Sequence, residues 1–174
     1  MSLPRPVAGE FNPMFQGYVD RVTGTDALAA LEMQIANVRG AFGGLTAERE
    51  TYRYEPGKWS VREVLGHVLD CERIFGFRLL SLARGEMQPL PGFEENEYAL
   101  VAGHDLVPAA ELLDEFELVR RGHLAMMHRF DDRAWARFGS VNGHSTVARA
   151  VPFIMIGHVR HHLAVLVSKY GELQ

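Results

Sequence analysis

Apolar residues recur every three to four positions along four stretches of this chain, which is the period of amphipathic helices that pack one face into a core. The predicted helices span 26–42, 60–84, 108–130 and 145–170. Each has a start signal: Thr25 as an N-cap, a capping box of Ser60 and Glu63, Pro108 in a first turn, and Ser145 or Thr146 as a cap. Four helices of this length predict an all-α four-helix bundle.

The connections between the helices are interpreted as irregular. An N-terminal lead-in, 1–24, carries aromatic residues that should dock on the core, and 86–107 is a long crossover with one short helix near 94–101. The pair Asn142-Gly143 predicts a turn. Pro152 falls inside the fourth helix and predicts either a kink or a later start. No stretch alternates apolar and polar residues for long enough to predict a strand.

Composition narrows the class of protein. The 174 residues are 47% apolar and carry a net charge of −4, which suits one domain over 1–174 and offers no basic surface for nucleic acid. One cysteine excludes an internal disulfide, and no apolar run approaches the ~20 residues that cross a bilayer. We therefore expect a soluble cytoplasmic protein. Its eight histidines are the unusual feature.

Two histidines share the apolar face of the fourth helix. Because each residue advances about 100° around a helix, His158 and His162 point the same way, one turn apart, and His161 lies at the edge of that face. This spacing suits two metal ligands on one helix. No glutamate follows His158, so the string is not the HExxH motif of metalloproteases.

A third histidine, His67, lies on the core-facing seam of the second helix. It is near the start of that helix, whereas His158 and His162 are near the end of theirs. The three reach one level only if the second and fourth helices run antiparallel, and the long crossover allows this. We predict an up-down-down-up bundle with the three histidines meeting near one mouth.

These three histidines are the predicted metal ligands. A single histidine on an apolar face is usually a hydrogen-bonded core residue, but three buried imidazoles without polar partners would be costly. Cys71 lies one turn from His67, and a small buried hydrophobic residue is the simpler interpretation of it. Asp70 is a candidate to orient a ligand or to act as a base. No other catalytic or cofactor-binding residue is indicated.

Several strings in the chain resemble the DinB-like family. They are YEPGKWSVREVLGH at 54–67 and GHVRHHL at 157–163, while PLPGF at 89–93 and GYV at 17–19 fit its YfiT-type subgroup. The resemblance covers roughly 11–170. It implies an up-down-down-up four-helix bundle and one divalent metal on His67, His158 and His162. The subgroup is similar to bacillithiol transferases and to proposed metal-dependent hydrolases, and active members of the family mostly join low-molecular-weight thiols to electrophiles or isomerise with a thiol cofactor.

Three neutral imidazoles leave a zinc, nickel or ferrous ion with open positions, as in catalytic sites. Water at such a position gives hydrolysis, and a thiol gives S-transfer. The leading hypothesis is a metal-dependent S-transferase that joins a low-molecular-weight thiol to a small electrophile in detoxification or stress. The alternatives are a metal-dependent hydrolase on the same histidines and a non-catalytic metal- or ligand-binding stress protein. By analogy, an apolar bundle face could pair two subunits in a homodimer.

Overall fold

The computed structural model describes residues 2–171, and this part of the chain is mostly helical. Its helices are α1 (Gln16–Asp20), α2 (Ala27–Phe42), α3 (Ala47–Glu50), α4 (Val61–Arg84), α5 (Glu95–Ala102), α6 (Ala109–Met127), α7 (Asp132–Ala136) and α8 (Ala150–Val165). Two strands are β1 (Phe138–Val141) and β2 (His144–Val147). A π-helical turn, Leu166–Tyr170, continues α8, and short 3-10 turns cover Pro13–Phe15 and His104–Leu106.

Four long helices, α2, α4, α6 and α8, form the bundle, and α2 and α4 each pack against both α6 and α8. They coincide with the four predicted helices, so the helical bundle is confirmed. The Ser60–Glu63 capping box is present at the start of α4, and left-handed Gly85 ends that helix. At the start of α2, Asp26 rather than Thr25 is the N-cap, because its side chain accepts a hydrogen bond from the Ala29 amide.

The fourth helix begins later than predicted, at Ala150. Ser145 and Thr146, which were expected to cap it, lie instead in β2. Pro152 thereby falls in the first turn of α8, where its missing N–H removes no helical hydrogen bond. Pro152 predicted either a kink or a later helix start, and the structure shows the later start.

The all-α prediction is also incomplete, because β1 and β2 form an antiparallel hairpin. Its register pairs Phe138 with Val147, Gly139 with Thr146, Ser140 with Ser145 and Val141 with His144. The predicted turn is confirmed, since Asn142 and Gly143 both adopt positive φ, 49° and 76°. Strands of four residues are too short to establish a period of two, so the pattern could not reveal them.

The hairpin is tied to the long crossover. The Leu90 amide donates to the Ser140 carbonyl at 2.9 Å, and the Asn142 amide donates to the Leu90 carbonyl at 2.9 Å. The crossover contains α5, in agreement with the predicted short helix near 94–101. Together the hairpin and crossover cover one side of α4 and form a wall of the site described below.

Three short helices were not predicted. The lead-in contains α1, the connection after α2 contains α3, and α7 follows α6, which ends at Met127 rather than at Phe130. The lead-in docks on the core as expected, with α1 lying against α8. The approach is close enough that a Cβ atom on Gly157 would lie 2.0 Å from the Tyr18 carbonyl oxygen.

The apolar core consists of two clusters along the bundle, with polar groups between them. Arg120 is fully buried there, and its guanidinium donates to both carboxylate oxygens of Glu72 at 2.6 and 2.8 Å. It also donates to the Leu31 carbonyl at 3.0 Å and to the Gln34 side chain at 3.1 Å. Gln34 in turn donates to the Ile156 carbonyl at 2.9 Å. This network, the Arg120 network, joins all four bundle helices.

One segment of the described chain, Ala150–Tyr170, is long and apolar enough to cross a membrane by length and composition alone. It consists of bundle helix α8 and the π-helical turn that continues it, and 61% of its apolar window is buried inside the protein. A core helix passes this test as readily as a membrane span.

Candidate metal centre

The three predicted ligands come from the core-facing sides of two bundle helices, α4 and α8. His67 projects from the first half of α4, and His158 and His162 project from the second half of α8, one turn apart. His67 and His158 are each only 4% exposed, whereas His162 is partly accessible. His67 and His158 lie near the boundary between the two apolar clusters, close to the Arg120 network, which reaches the Ile156 carbonyl through Gln34.

The structure brings the three imidazoles together. Nε2 of His158 lies 3.1 Å from Nε2 of His67 and 3.1 Å from Nε2 of His162. A metal with nitrogen bonds of about 2.0–2.1 Å holds neighbouring ligand atoms about 2.8–3.4 Å apart, from octahedral to tetrahedral geometry. The donor type and the spacing therefore fit a divalent metal.

Burial keeps all three rings neutral, which is the form that binds a metal. Desolvation lowers the pKa of His67 from 6.5 to about 4 and that of His162 to about 3. The pKa of His158, the most deeply buried, falls well below its ordinary value for the same reason, helped by the neighbouring His162 and His67. No proton has to be removed from these groups at neutral pH before a cation enters.

Aromatic side chains enclose the cluster. The Trp59 ring lies 4.7 Å from the His67 ring, and the rings of Phe75 and Tyr18 lie 5.6 and 5.5 Å from that of His158, edge to face. These contacts fix the imidazole planes and displace water from around them.

Cys71 is closer to the cluster than its interpretation as a hydrophobic residue implies. Its Sγ lies 3.6 Å from Nε2 of His67, and the donor atoms of His67, Cys71 and His158 all lie within 4.8 Å of one another, so these three residues could also hold a metal. Burial raises the pKa of the thiol, as do the nearby carboxylates of Glu95 and Asp70. Without a cation the thiol is therefore protonated.

Asp70 has other partners. Its carboxylate accepts a hydrogen bond from Nε2 of His104 at 2.9 Å and pairs with Arg73 at 3.3 Å. Gly66 makes room for this arrangement, because a Cβ there would lie 2.1 Å from the His104 ring. The negative charge of Asp70 raises the pKa of His67, which opposes the lowering caused by burial. This geometry does not support Asp70 as a base or as a group that orients a ligand.

Two cavities open beside the histidine cluster. The first, the inner cavity, has a volume of about 230 Å³ and is lined by Cys71, Phe75 and Arg78 of α4, by His158, and by residues of the lead-in, crossover and hairpin. The second, the outer cavity, has a volume of about 280 Å³ and is lined by Trp59, Lys58, His161 and His162, among others.

Tyr18, Phe75 and Arg78 are among the residues of the inner cavity that sequence reasoning missed. Phe75 and Arg78 lie four and seven positions after Cys71 on the same face of α4, so the helical period could have indicated them as neighbours of the site. Arg78 in particular is a charged residue on an apolar seam. Tyr18 had no such signal, because the docking of the lead-in brings it to the site.

A helical bundle with a buried cluster of neutral imidazoles between two cavities is a candidate metal-binding fold. The sequence profile of the DinB superfamily matches residues 30–166, and the chain belongs to this superfamily. The family resemblance noted in the sequence is thereby confirmed. No curated protein sequence matches the chain.

Two solved structures are similar. YfiT from Bacillus subtilis, described as a probable metal-dependent hydrolase with an unusual four-helix bundle topology, has a TM-score of 0.76 and 17% identity, covering 94% of this chain and 95% of that one. The mycothiol-dependent maleylpyruvate isomerase has a TM-score of 0.66 and 13% identity, covering 80% of this chain and 58% of the other, which is therefore much longer. At these identities the likeness shows a shared fold.

Proposed function

We propose that this protein is a metal-dependent S-transferase that joins a low-molecular-weight thiol to a small electrophile. The observation that carries the proposal is that Nε2 of His158 lies 3.1 Å from Nε2 of both His67 and His162, a spacing that suits neighbouring ligands of one divalent metal. Such a metal, when bound, lowers the pKa of a thiol or water that reaches it and so supplies a nucleophile at neutral pH.

The two cavities favour transfer over hydrolysis. His158 lines the inner cavity and His162 lines the outer one, so the histidine cluster lies between them. A reaction that joins two organic molecules needs room for both, whereas hydrolysis needs one such cavity. The surrounding rings of Trp59, Phe75 and Tyr18 exclude bulk water, which strengthens electrostatic interactions at the reacting sulfur.

Hydrolysis on the same histidines is the second candidate. It is supported by the similarity to YfiT, which is described as a probable metal-dependent hydrolase. Against it, no buried carboxylate lines either cavity in the described structure: Asp70 is engaged by His104, and Glu94 and Glu95 lie on the exposed rim of the inner cavity.

A thiol and electrophile screen separates these functions. Metal-loaded protein is given cysteine, glutathione, bacillithiol or mycothiol together with a chlorinated aromatic electrophile or an epoxide, and products are followed by mass spectrometry. We expect formation of a sulfur–carbon bond with release of chloride or opening of the epoxide, and loss of activity in His158→Ala. Ester or amide cleavage without a thiol would favour the hydrolase, and inertness in both assays would favour a binding protein.

We further infer that the bundle has the up-down-down-up path. The Tyr170 hydroxyl donates to the Trp59 carbonyl at 2.7 Å, which joins the end of the α8 segment to the start of α4. Arg39 near the end of α2 pairs with Asp114 near the start of α6 at 2.9 Å. These contacts support antiparallel α4–α8 and α2–α6 pairs. The small-molecule substrate, cytoplasmic location and homodimer remain predictions.

A further inference from the structure

The inner cavity contains a buried arginine whose charge has no carboxylate partner. Arg78 is 6% exposed and lines this cavity. Its guanidinium donates one hydrogen bond, to the Pro91 carbonyl at 2.8 Å, and lies 5.7 Å from the centre of the Phe93 ring. Within residues 2–171 no ion pair involves it. Burial lowers its pKa, but a guanidinium stays protonated at neutral pH.

Arg120, the other deeply buried arginine, has a carboxylate partner and further hydrogen-bond acceptors, in contrast to Arg78. Arg120 donates to both oxygens of Glu72 and to two further acceptors. An uncompensated buried charge is costly, so an arginine kept without a counterion inside a cavity indicates that the counterion arrives with a ligand.

The cavity's own carboxylates do not fill this role. Glu94 and Glu95 line the same cavity, but both are exposed at its rim, and neither forms an ion pair with Arg78 in the described structure. The charge of Glu95 instead raises the pKa of Tyr18 and Cys71.

The position of Arg78 relative to the histidines sets the geometry of the ligand. Cys71, Phe75 and Arg78 form one seam of α4 that spans about 10 Å of helix axis. The seam begins beside His67 and His158, and the Phe75 ring packs against His158. A ligand lying along it would have one end at the histidines and the other at the guanidinium.

We propose that Arg78 binds the carboxylate of a small organic acid, with the acid's apolar body against Phe75 and its reactive end toward His158. This deepens the proposed function, on which it rests, by naming the electrophilic substrate as a carboxylic acid. A carboxylate is favoured over a phosphate for two reasons. One guanidinium neutralises one negative charge and matches a planar carboxylate with two hydrogen bonds, and no second cationic side chain lines the inner cavity in the described structure.

The test is binding by calorimetry to metal-free protein, where no metal can take the carboxylate. The probes are benzoate and hexanoate, each compared with its neutral amide, and inorganic phosphate. We expect both acids to bind at least about tenfold more tightly than their amides. Arg78→Met should abolish this preference. The matched control is Arg84→Met, which removes an exposed arginine from the end of the same helix and should retain it.

Equal affinity of acid and amide for the native protein would overturn the proposal. This comparison needs only the native protein, so it tests the proposal even if Arg78→Met does not fold. An unchanged preference in folded Arg78→Met, or phosphate bound as tightly as the acids, would overturn it as well. The proposed function would be overturned by different results, namely a protein that binds no metal or transfers no thiol. Acid binding that requires Arg78 could then still be observed.

Discussion

At the scale of single residues, His158 is the centre of the site. It is the ring that His67 and His162 both approach to 3.1 Å, and it also contacts Phe75 and Tyr18. The helical period predicts the three histidines correctly as neighbours, because it determines which residues share a face and how deep they lie. Contacts made by the lead-in and crossover, such as that of Tyr18, depend on tertiary docking, which no local pattern encodes.

The first prediction concerns the choice between His162 and Cys71 as the third ligand. His162 is neutral and 3.1 Å from His158, whereas burial keeps the Cys71 thiol protonated. We expect His162→Ala to weaken Co²⁺ binding by about tenfold or more and Cys71→Ser to leave it nearly unchanged. A near-ultraviolet thiolate-to-cobalt absorption band that disappears in Cys71→Ser would show that the sulfur is a ligand instead.

At the scale of elements, the four long helices follow from the sequence because each repeats its pattern over several turns and has its own start and stop signals. The short elements do not. Helices α1, α3 and α7 have four or five residues each, and such lengths are stable only through tertiary contacts. The hairpin is similar: its Asn142-Gly143 turn is readable, but its strands are too short to show a period.

The second prediction tests the docking of α1 on α8. Gly157→Ala would place a Cβ 2.0 Å from the Tyr18 carbonyl oxygen, and a backbone atom cannot rotate away. We expect a loss of about 1–3 kcal/mol in the free energy of unfolding by urea. The control is Gly122→Ala in α6, where a Cβ meets nothing within 4 Å. Because alanine is the better helix former, this variant should increase the free energy of unfolding by up to about 1 kcal/mol. Equal behaviour of the two variants would contradict the close approach.

At the scale of the whole molecule, the Arg120 network joins the four bundle helices between the two apolar clusters. This level also contains the histidine cluster, so the network fixes the relative position of the helices that supply the ligands. The sequence does not reveal this role, since no local pattern distinguishes the buried Arg120 from its exposed neighbour Arg121. Its partners on other helices become known only from the packed structure.

The third prediction is that Arg120→Met destabilises the protein by about 3–5 kcal/mol, because it leaves the Glu72 carboxylate buried without its guanidinium. Adding Glu72→Met should recover part of this loss. Arg121→Met, the matched control, removes only an exposed ion pair with Glu117 and should cost about 0–1 kcal/mol. Urea unfolding measures all three. A double variant less stable than Arg120→Met would contradict this account.

The fourth prediction concerns the pH dependence of the metal-free protein. The folded-state pKa values of His67 and His162 are about 4 and about 3, below their ordinary value of 6.5. As the pH falls below 6.5, the unfolded chain takes up protons that the folded protein does not, so the free energy of unfolding decreases toward pH 4. Urea unfolding between about pH 7 and about pH 4.5 should show this decrease, with a shallower slope in His162→Gln. Equal slopes would contradict it.

The central claim is that His67, His158 and His162 hold one divalent metal, and elemental analysis of untagged protein tests it most directly. His158→Ala removes the central ligand, while His161→Ala, one residue before His162, is the matched control. We predict about one zinc, nickel or iron ion per chain in the native protein and in His161→Ala, and none in His158→Ala. A native protein that contains no metal and takes up none from added zinc or nickel would contradict the account and make the histidine cluster a purely structural part of the core.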